Sequence, residues 1–125
     1  MIMSNTFKVV TKSGVSDTSG SPTTIYTAPS SPSTTSIVLA LLVANKHTTS
    51  IKATVQIESD TASGTTGGGA NNATVNVIKD VSIEEETSLE IMSGQKYVLM
   101  PTDVLKVYED NVNLDVTFSY MEITA

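Results

Sequence analysis

An all-β antiparallel sandwich is the fold class the sequence predicts, and three observations carry it. Short runs of β-branched and apolar residues alternate with polar ones at a period of two. Clusters of Ser, Gly, Pro, Asn and Asp separate those runs at short intervals. No segment sustains the 3.6-residue period of a helix. About eight to nine short strands follow, in an Ig-like or jelly-roll-like arrangement. At 125 residues the chain holds one core. It divides into an N-terminal strand and flexible arm, 1–23, and a β-sandwich domain, 24–125, within a single domain overall.

Phe7-Lys8-Val9-Val10-Thr11 is the first β-prone run, and the Ser/Gly/Thr-rich stretch from Lys12 to Thr23 reads as a loop or arm. Thr24-Ile25-Tyr26-Thr27 is the second strand, closed by Ala28-Pro29-Ser30-Ser31-Pro32-Ser33, whose prolines cannot donate to a ladder. From Ser36 to Asn45 the chain is almost continuously apolar, and its β-branched Ile37, Val38 and Val43 predict a strand covered on both faces. Ile51, Ala53, Val55 and Ile57 then alternate with Lys52, Thr54, Gln56 and Glu58, giving one buried and one wet face. Ser59 to Asn72, with Gly67-Gly68-Gly69, lacks any apolar period and predicts a long, mobile connection. Alternation resumes at Ala73, Val75 and Val77, slips near Ile78 to Asp80 in the manner of a bulge, and returns at Val81 and Ile83. Glu84-Glu85-Glu86 forms a charged turn. Leu89 with Ile91, Tyr97 to Leu99, and Val104 to Tyr108 are further strands, separated by turns at Ser93-Gly94-Gln95 and Pro101-Thr102-Asp103. The last strand, Val112 to Ile123, sets Leu114, Val116, Phe118 and Tyr120 on one face.

Composition narrows the function classes. A net charge of -6 with 7 basic residues, scattered along the chain, argues against a phosphate-tracking groove, so no nucleic-acid partner is expected. The absence of cysteine excludes a disulfide framework and thiolate metal sites. The first residues lack a basic segment followed by a long apolar one, so synthesis and retention in a cytoplasm are expected. The longest apolar run, Ile37 to Ala44, falls far short of the roughly 20 residues that cross a bilayer, and no membrane partner is expected.

Few residues suggest chemistry. His47, the sole histidine, lies in the turn Asn45 to Ser50 and reads as an exposed turn residue rather than a catalytic base or metal ligand. Glu84, Glu85, Glu86 and Glu90 could form a cation-binding edge or an acid/base pair, but a solvated turn that blunts a sheet edge is the preferred reading. Asp103 is expected to cap local backbone donors, and Glu109-Asp110-Asn111 to form a second acidic turn; neither matches an EF-hand spacing. Gly67 to Gly69 lack the lysine and helix start of a phosphate loop, and Asn72-Ala73-Thr74 matches a glycosylation acceptor without a secretory route. Tyr26, Tyr97, Tyr108 and Tyr120 could stack on a sugar, although packing within or between sheets accounts for them better. No catalytic, cofactor-binding or metal-binding residue is therefore assigned, and no enzyme activity is expected.

Several segments taken in order carry a resemblance: Ile25-Tyr26-Thr27-Ala28-Pro29, Ile37 to Asn45, Val77 to Ile83, Ser88 to Ile91, Gly94 to Leu99, Asp103 to Val107 and Val116 to Ile123. From about Thr24 to Ile123 this order resembles small virion structural proteins of tailed bacteriophages, particularly cyanophage-like ones. Thr102 stands before Asp103 where such proteins usually carry glycine. The resemblance implies a β-sandwich present in many copies on a particle, either as capsid decoration or in the neck, tail or fibre. It supplies no catalytic residues. A decoration or cement protein is the first expectation, forming a homotrimer on symmetry grounds and partnered by virion proteins such as the major capsid protein. A carbohydrate- or receptor-binding module using the tyrosines and the loop Ser59 to Asn72, with Asn71, is the alternative from another class.

Overall fold

Two antiparallel sheets pack face to face in the computed structural model, which describes residues 4–15, 21–30, 34–59, 74–92, 94–111 and 113–124. Nine strands run β1 (Ser4–Ser13), β2 (Thr23–Thr27), β3 (Thr34–Asn45), β4 (Ile51–Glu58), β5 (Thr74–Ile83), β6 (Ser88–Glu90), β7 (Tyr97–Leu99), β8 (Val104–Glu109) and β9 (Leu114–Thr124). The first sheet has the order β1-β9-β3-β6, with β7 also on β3, and the second has the order β2-β8-β4-β5. Strands β6 and β7 lie on the same border of β3, at Leu42 to Ala44 and at Ser36 to Val38 respectively. Counted as one interrupted strand, they leave eight strands in the orders 1-8-3-6 and 2-7-4-5, the double Greek key of a jelly roll. Of the two sandwich arrangements expected, the topology is thus the jelly roll.

Alternation along each strand decides what is buried. Leu114, Val116, Phe118 and Tyr120 of β9 face inward with Val38, Leu41 and Val43 of β3, and meet Ala53 and Val55 of β4 and Leu105 and Val107 of β8. Phe118, Leu41, Ile51 and Leu99 are the bulkiest fully enclosed side chains. Tyr26 and Tyr120 join Phe118 in an aromatic cluster with centroids 4.3–5.4 Å apart.

Several details differ from the sequence expectations. The first strand runs on through Lys12 and Ser13, with β1 paired to β9 from Ser4↔Thr124 to Ser13↔Asp115. Val15 just beyond it is fully buried, anchored by its N–H to Leu114 O at 3.1 Å. An edge strand with one half-buried residue, Val10, is held by its ladder, so its apolar signal is weak where it continues. Residues 16–20 of the expected arm, the connection 60–73 with Gly67 to Gly69 and Asn72, and Val112 lie outside the described residues. The expected bulge is present: Lys79 and Asp80 are inserted between the pairs Ala53↔Val81 and Val55↔Ile78, and Asp80 takes a φ of 50°. Its N–H is satisfied by the Thr54 hydroxyl at 3.0 Å.

The largest correction concerns β3. Its apolar run predicts cover on both faces, yet Val38, Leu41 and Val43 alone are buried there, while Ile37, Leu39, Ala40, Leu42 and Ala44 are only half-buried. The strand is central in its sheet, so its borders are filled by hydrogen bonds, but this chain packs a second sheet on one side only.

Candidate functional site: an assembly surface

The polar residues singled out for chemistry are brought together mainly with backbone, whereas Tyr26 and Tyr120 pack on each other. Asn45 organises the turn containing His47: its Nδ2 donates to the carbonyls of Thr49, Ile83 and Glu84 at 2.9–3.1 Å, and its Oδ1 accepts the His47 N–H at 2.8 Å. This draws the turn against the sandwich end, so His47 is half-buried and not exposed as expected, with Nδ1 3.4 Å from Asn113 Nδ2.

The acidic residues separate by role. Glu84, Glu85 and Glu86 are exposed in the turn after β5. Glu90 turns back to the gap between β6 and β7, where Oε1 accepts the N–H groups of Leu41 at 3.1 Å and Met92 at 3.0 Å. A carboxylate thereby replaces the ladder bonds that the interrupted edge cannot make. Asp103 Oδ2 caps the Met100 N–H at 3.0 Å, as expected of a turn aspartate. Glu109 is buried at the end of β8 and accepts the Leu114 N–H at 3.0 Å, while Asp110 Oδ1 accepts the Lys52 N–H at 3.0 Å. Asn111 and Asn113 hydrogen-bond each other through their side chains. The acidic turn at 109–111 is thus a clasp between β8, β4 and β9. Among the described residues, no group of three or more His, Cys, Asp or Glu is placed to hold a metal ion.

Of the four tyrosines, Tyr26 and Tyr120 are buried and Tyr97 is half-buried on the inner face beside the core. Tyr108 departs from the expected packing between sheets: it pairs with Thr54 on the outer face of the second sheet. The Tyr26 hydroxyl bonds Ser36 Oγ at 2.8 Å and donates to Glu122 Oε2 at 2.7 Å, while Lys8 Nζ donates to Glu122 Oε1 at 2.8 Å. Lys8 first and Tyr26 second hold the Glu122 carboxyl below its ordinary range. Burial, reinforced by Glu122, pushes the Tyr26 phenol well above its own. Tyr26 and Tyr120 are thus enclosed in the core and closed to a ligand.

The two outer faces differ sharply. On the second sheet Lys52, Gln56 and Glu58 of β4 lie beside Lys106 of β8 and Asn76 of β5; Lys106 and Glu58 form an ion pair at 2.7 Å, and Gln56 donates to Asn76 at 3.1 Å. This face is polar and charged, with Thr54 alone fully buried among its β4 residues. On the first sheet the register aligns Phe7, Met121, Ile37 and Val98 in one row across β1, β9, β3 and β7. The adjoining rows contain Val9, Ser119 and Ala40 on one side and Asn5, Ile123 and Thr35 on the other. Phe7 is 71% exposed, Val9 61% and Val98 56%. Among the ladder-paired residues of this face, charge enters at one end, through Glu90 and through Asp115, whose carboxyl is paired with Lys46 at 2.9 Å. The sequence signal for this surface is the double-parity apolar run of β3; Phe7, Val9 and Val98 join it only through the register.

No family model matches the chain, and no curated protein matches it. Solved structures share its fold at low sequence identity. A chain of the infectious bursal disease virus T13 viral particle superposes with a TM-score of 0.56 at 10% identity over 96% of this chain and 31% of its own length. A chain from T=1 particles derived from infectious bursal virus gives 0.55 at 10% identity over 98% and 31%. A chain of Bacillus endospore appendages, a family of disulfide-linked pili, gives 0.51 at 10% identity over 98% and 88%. This chain therefore spans about a third of the virus chains and most of the pilus chain.

Proposed function

We propose that this protein is a structural subunit of a virion, acting as a capsid decoration or cement protein by oligomeric packing on the particle against the major capsid protein. The observation that carries the reading is the jelly-roll order maintained over the described chain, the fold it has in common with chains of the infectious bursal disease virus particle. Jelly rolls recur as capsid modules because two stacked sheets present broad, rigid faces from a small domain. Placement on a tailed-phage head rests on the sequence resemblance, with the neck, tail or fibre as the alternative location in the same virion. In this proposal the chain is made in the host cytoplasm and works by contact, without catalysis, cofactor, nucleic acid or membrane.

The pilus likeness points to the same general property, self-association of a β-sandwich. Covalent linkage of that kind is closed to a chain without cysteine. A carbohydrate-binding module is less well supported, because Tyr26 and Tyr120 are enclosed between the sheets. Mass spectrometry and cryo-electron microscopy of purified particles test the proposal. Hundreds of copies on the head are expected; a few to a few tens at the neck or tail would move the protein there. Absence from the particle would overturn the reading.

A further inference from the structure

We infer that the outer face of the five-stranded sheet is a self-association surface, covered by the same face of a second copy of this chain across a two-fold axis. Three observations select this occupant. The first is β3 itself, apolar on both parities from Ile37 to Ala44 although one chain covers only one of them. A strand of that composition is suited to cover on both faces.

The second is area. Four strands at about 4.8 Å spacing, with β9 running eleven residues at about 3.4 Å each, make a face of roughly 700 Å². Two such faces together, about 1,400 Å², exceed the roughly 1,200 Å² at which specific, stable interfaces begin. One side supplies this by stacking on itself, with no further partner needed.

The third is charge and shape. The chain carries a net charge of -6, so two copies repel wherever their charged surfaces meet, yet the ladder-paired residues of this face are uncharged except at the Glu90 and Asp115 end. A two-fold axis running along the strands between β9 and β3 lays Phe7 of one copy over Val98 of the other and Met121 over Ile37. The bulky Phe7 then meets the smaller Val98, and Met121 meets Ile37 of similar volume, so apolar side chains face one another along the whole row, at the roughly 10 Å spacing of stacked sheets. The same axis sets Asp115 over Ala44 and Glu90 over β1 of the other copy, so no carboxylates oppose. Because an isologous face closes on itself, the product is a dimer, and the homotrimer expected from symmetry would need a different surface.

Sedimentation equilibrium on the purified full chain tests the inference without reference to any particle, so presence in a virion and pairing in solution succeed or fail separately. The wild type is expected to be a dimer at micromolar concentration. Phe7→Ser and Met121→Lys should each raise the dimer dissociation constant about 100-fold or more, since each change acts twice per dimer. Their circular dichroism and thermal melting at concentrations below dimerisation should match the wild type, because Phe7 projects outward. Lys52→Ala on the opposite face should leave the dissociation constant unchanged. A monomeric or trimeric wild type, or a dimer weakened by Lys52→Ala and indifferent to Phe7→Ser and Met121→Lys, would overturn it.

Discussion

The phenol of Tyr26 in β2 donates a 2.7 Å hydrogen bond to Glu122 in β9, so one buried hydroxyl ties the two sheets together. Around it the ring packs against Phe118 and Tyr120, and the same oxygen meets Ser36 of β3. Tyr26→Phe preserves the aromatic packing while leaving Ser36 and Glu122 short of a partner. It should lower the unfolding free energy by about 1–2 kcal/mol, read as a shift in urea midpoint at unchanged slope. No change in midpoint would mean the hydroxyl contributes nothing net.

Acid should weaken the fold through Glu122 and Asp115. Lys8 and Tyr26 hold the first carboxyl below its ordinary value, and the Lys46 hydrogen bond does the same for the second against partial burial. Both are depressed on folding, so their stabilisation is present above the unfolded carboxylate values near pH 4 and is lost as pH falls through the lower folded values. Urea midpoints measured from pH 7 down to about 2.5 should fall less steeply in Glu122→Gln and Asp115→Asn than in the wild type. Parallel curves would remove these groups from the acid response.

At the alkaline end the sign is set by Tyr26 and Tyr120, whose phenols burial raises above the ordinary tyrosine value. Stability should be constant below about pH 10 from this source and decline above it, because the unfolded chain loses those protons first. Ultraviolet titration should show late phenolate formation that moves to the ordinary range when the chain is unfolded in urea.

Asn45 is the polar side chain on which the β3–β4 turn depends. Its removal takes two N–H donors from the carbonyls of Thr49, Ile83 and Glu84, the last of which keeps the Thr87 hydroxyl, and the acceptor from the His47 N–H, so Asn45→Ala should cost about 2–3 kcal/mol. Asn45→Asp should cost at least as much at neutral pH, since it places a carboxylate among carbonyl oxygens. Equilibrium unfolding of both variants checks the ranking; a milder Asp variant would contradict it.

Thr102 sits at a φ of 71°, a left-handed backbone that a β-branched residue rarely adopts. Glycine relieves that strain but loses more entropy on folding, and the difference leaves Thr102→Gly more stable by up to about 1 kcal/mol. Thermal melting of this single variant decides it; destabilisation would show that the threonine's own contacts outweigh the strain.

The strand inventory and most inward faces were legible because period-two alternation is a local property: Ile51, Ala53 and Val55 and Leu114 to Tyr120 announce their buried sides, whereas Thr54, expected on the wet face, is fully buried and Ile57 is only half-buried. Turn chemistry was legible for Asp103 for the same reason. Pairing is not local, which is why the Tyr26–Glu122 strap, 96 residues apart in sequence, left no signal. Nor could the row from Phe7 to Val98 be read, since it exists only once four strands are in register. Glu90 differs from Glu84 to Glu86 in a way that sequence proximity does not reveal: its carboxylate, though exposed, accepts the Leu41 and Met92 N–H groups at the interrupted sheet edge.

The interruption between β6 and β7 also governs how far the first sheet can grow. A strand arriving from another molecule would find a continuous ten-residue border at β1, but beyond β3 only two three-residue pieces. Endless backbone-to-backbone polymerisation needs a receptive border on each side. A sheet with one whole border and one broken one admits at most a single added strand and then stops, so the first sheet cannot extend through its ladders into a fibre, and any further ordered association on that sheet is left to its side-chain surface.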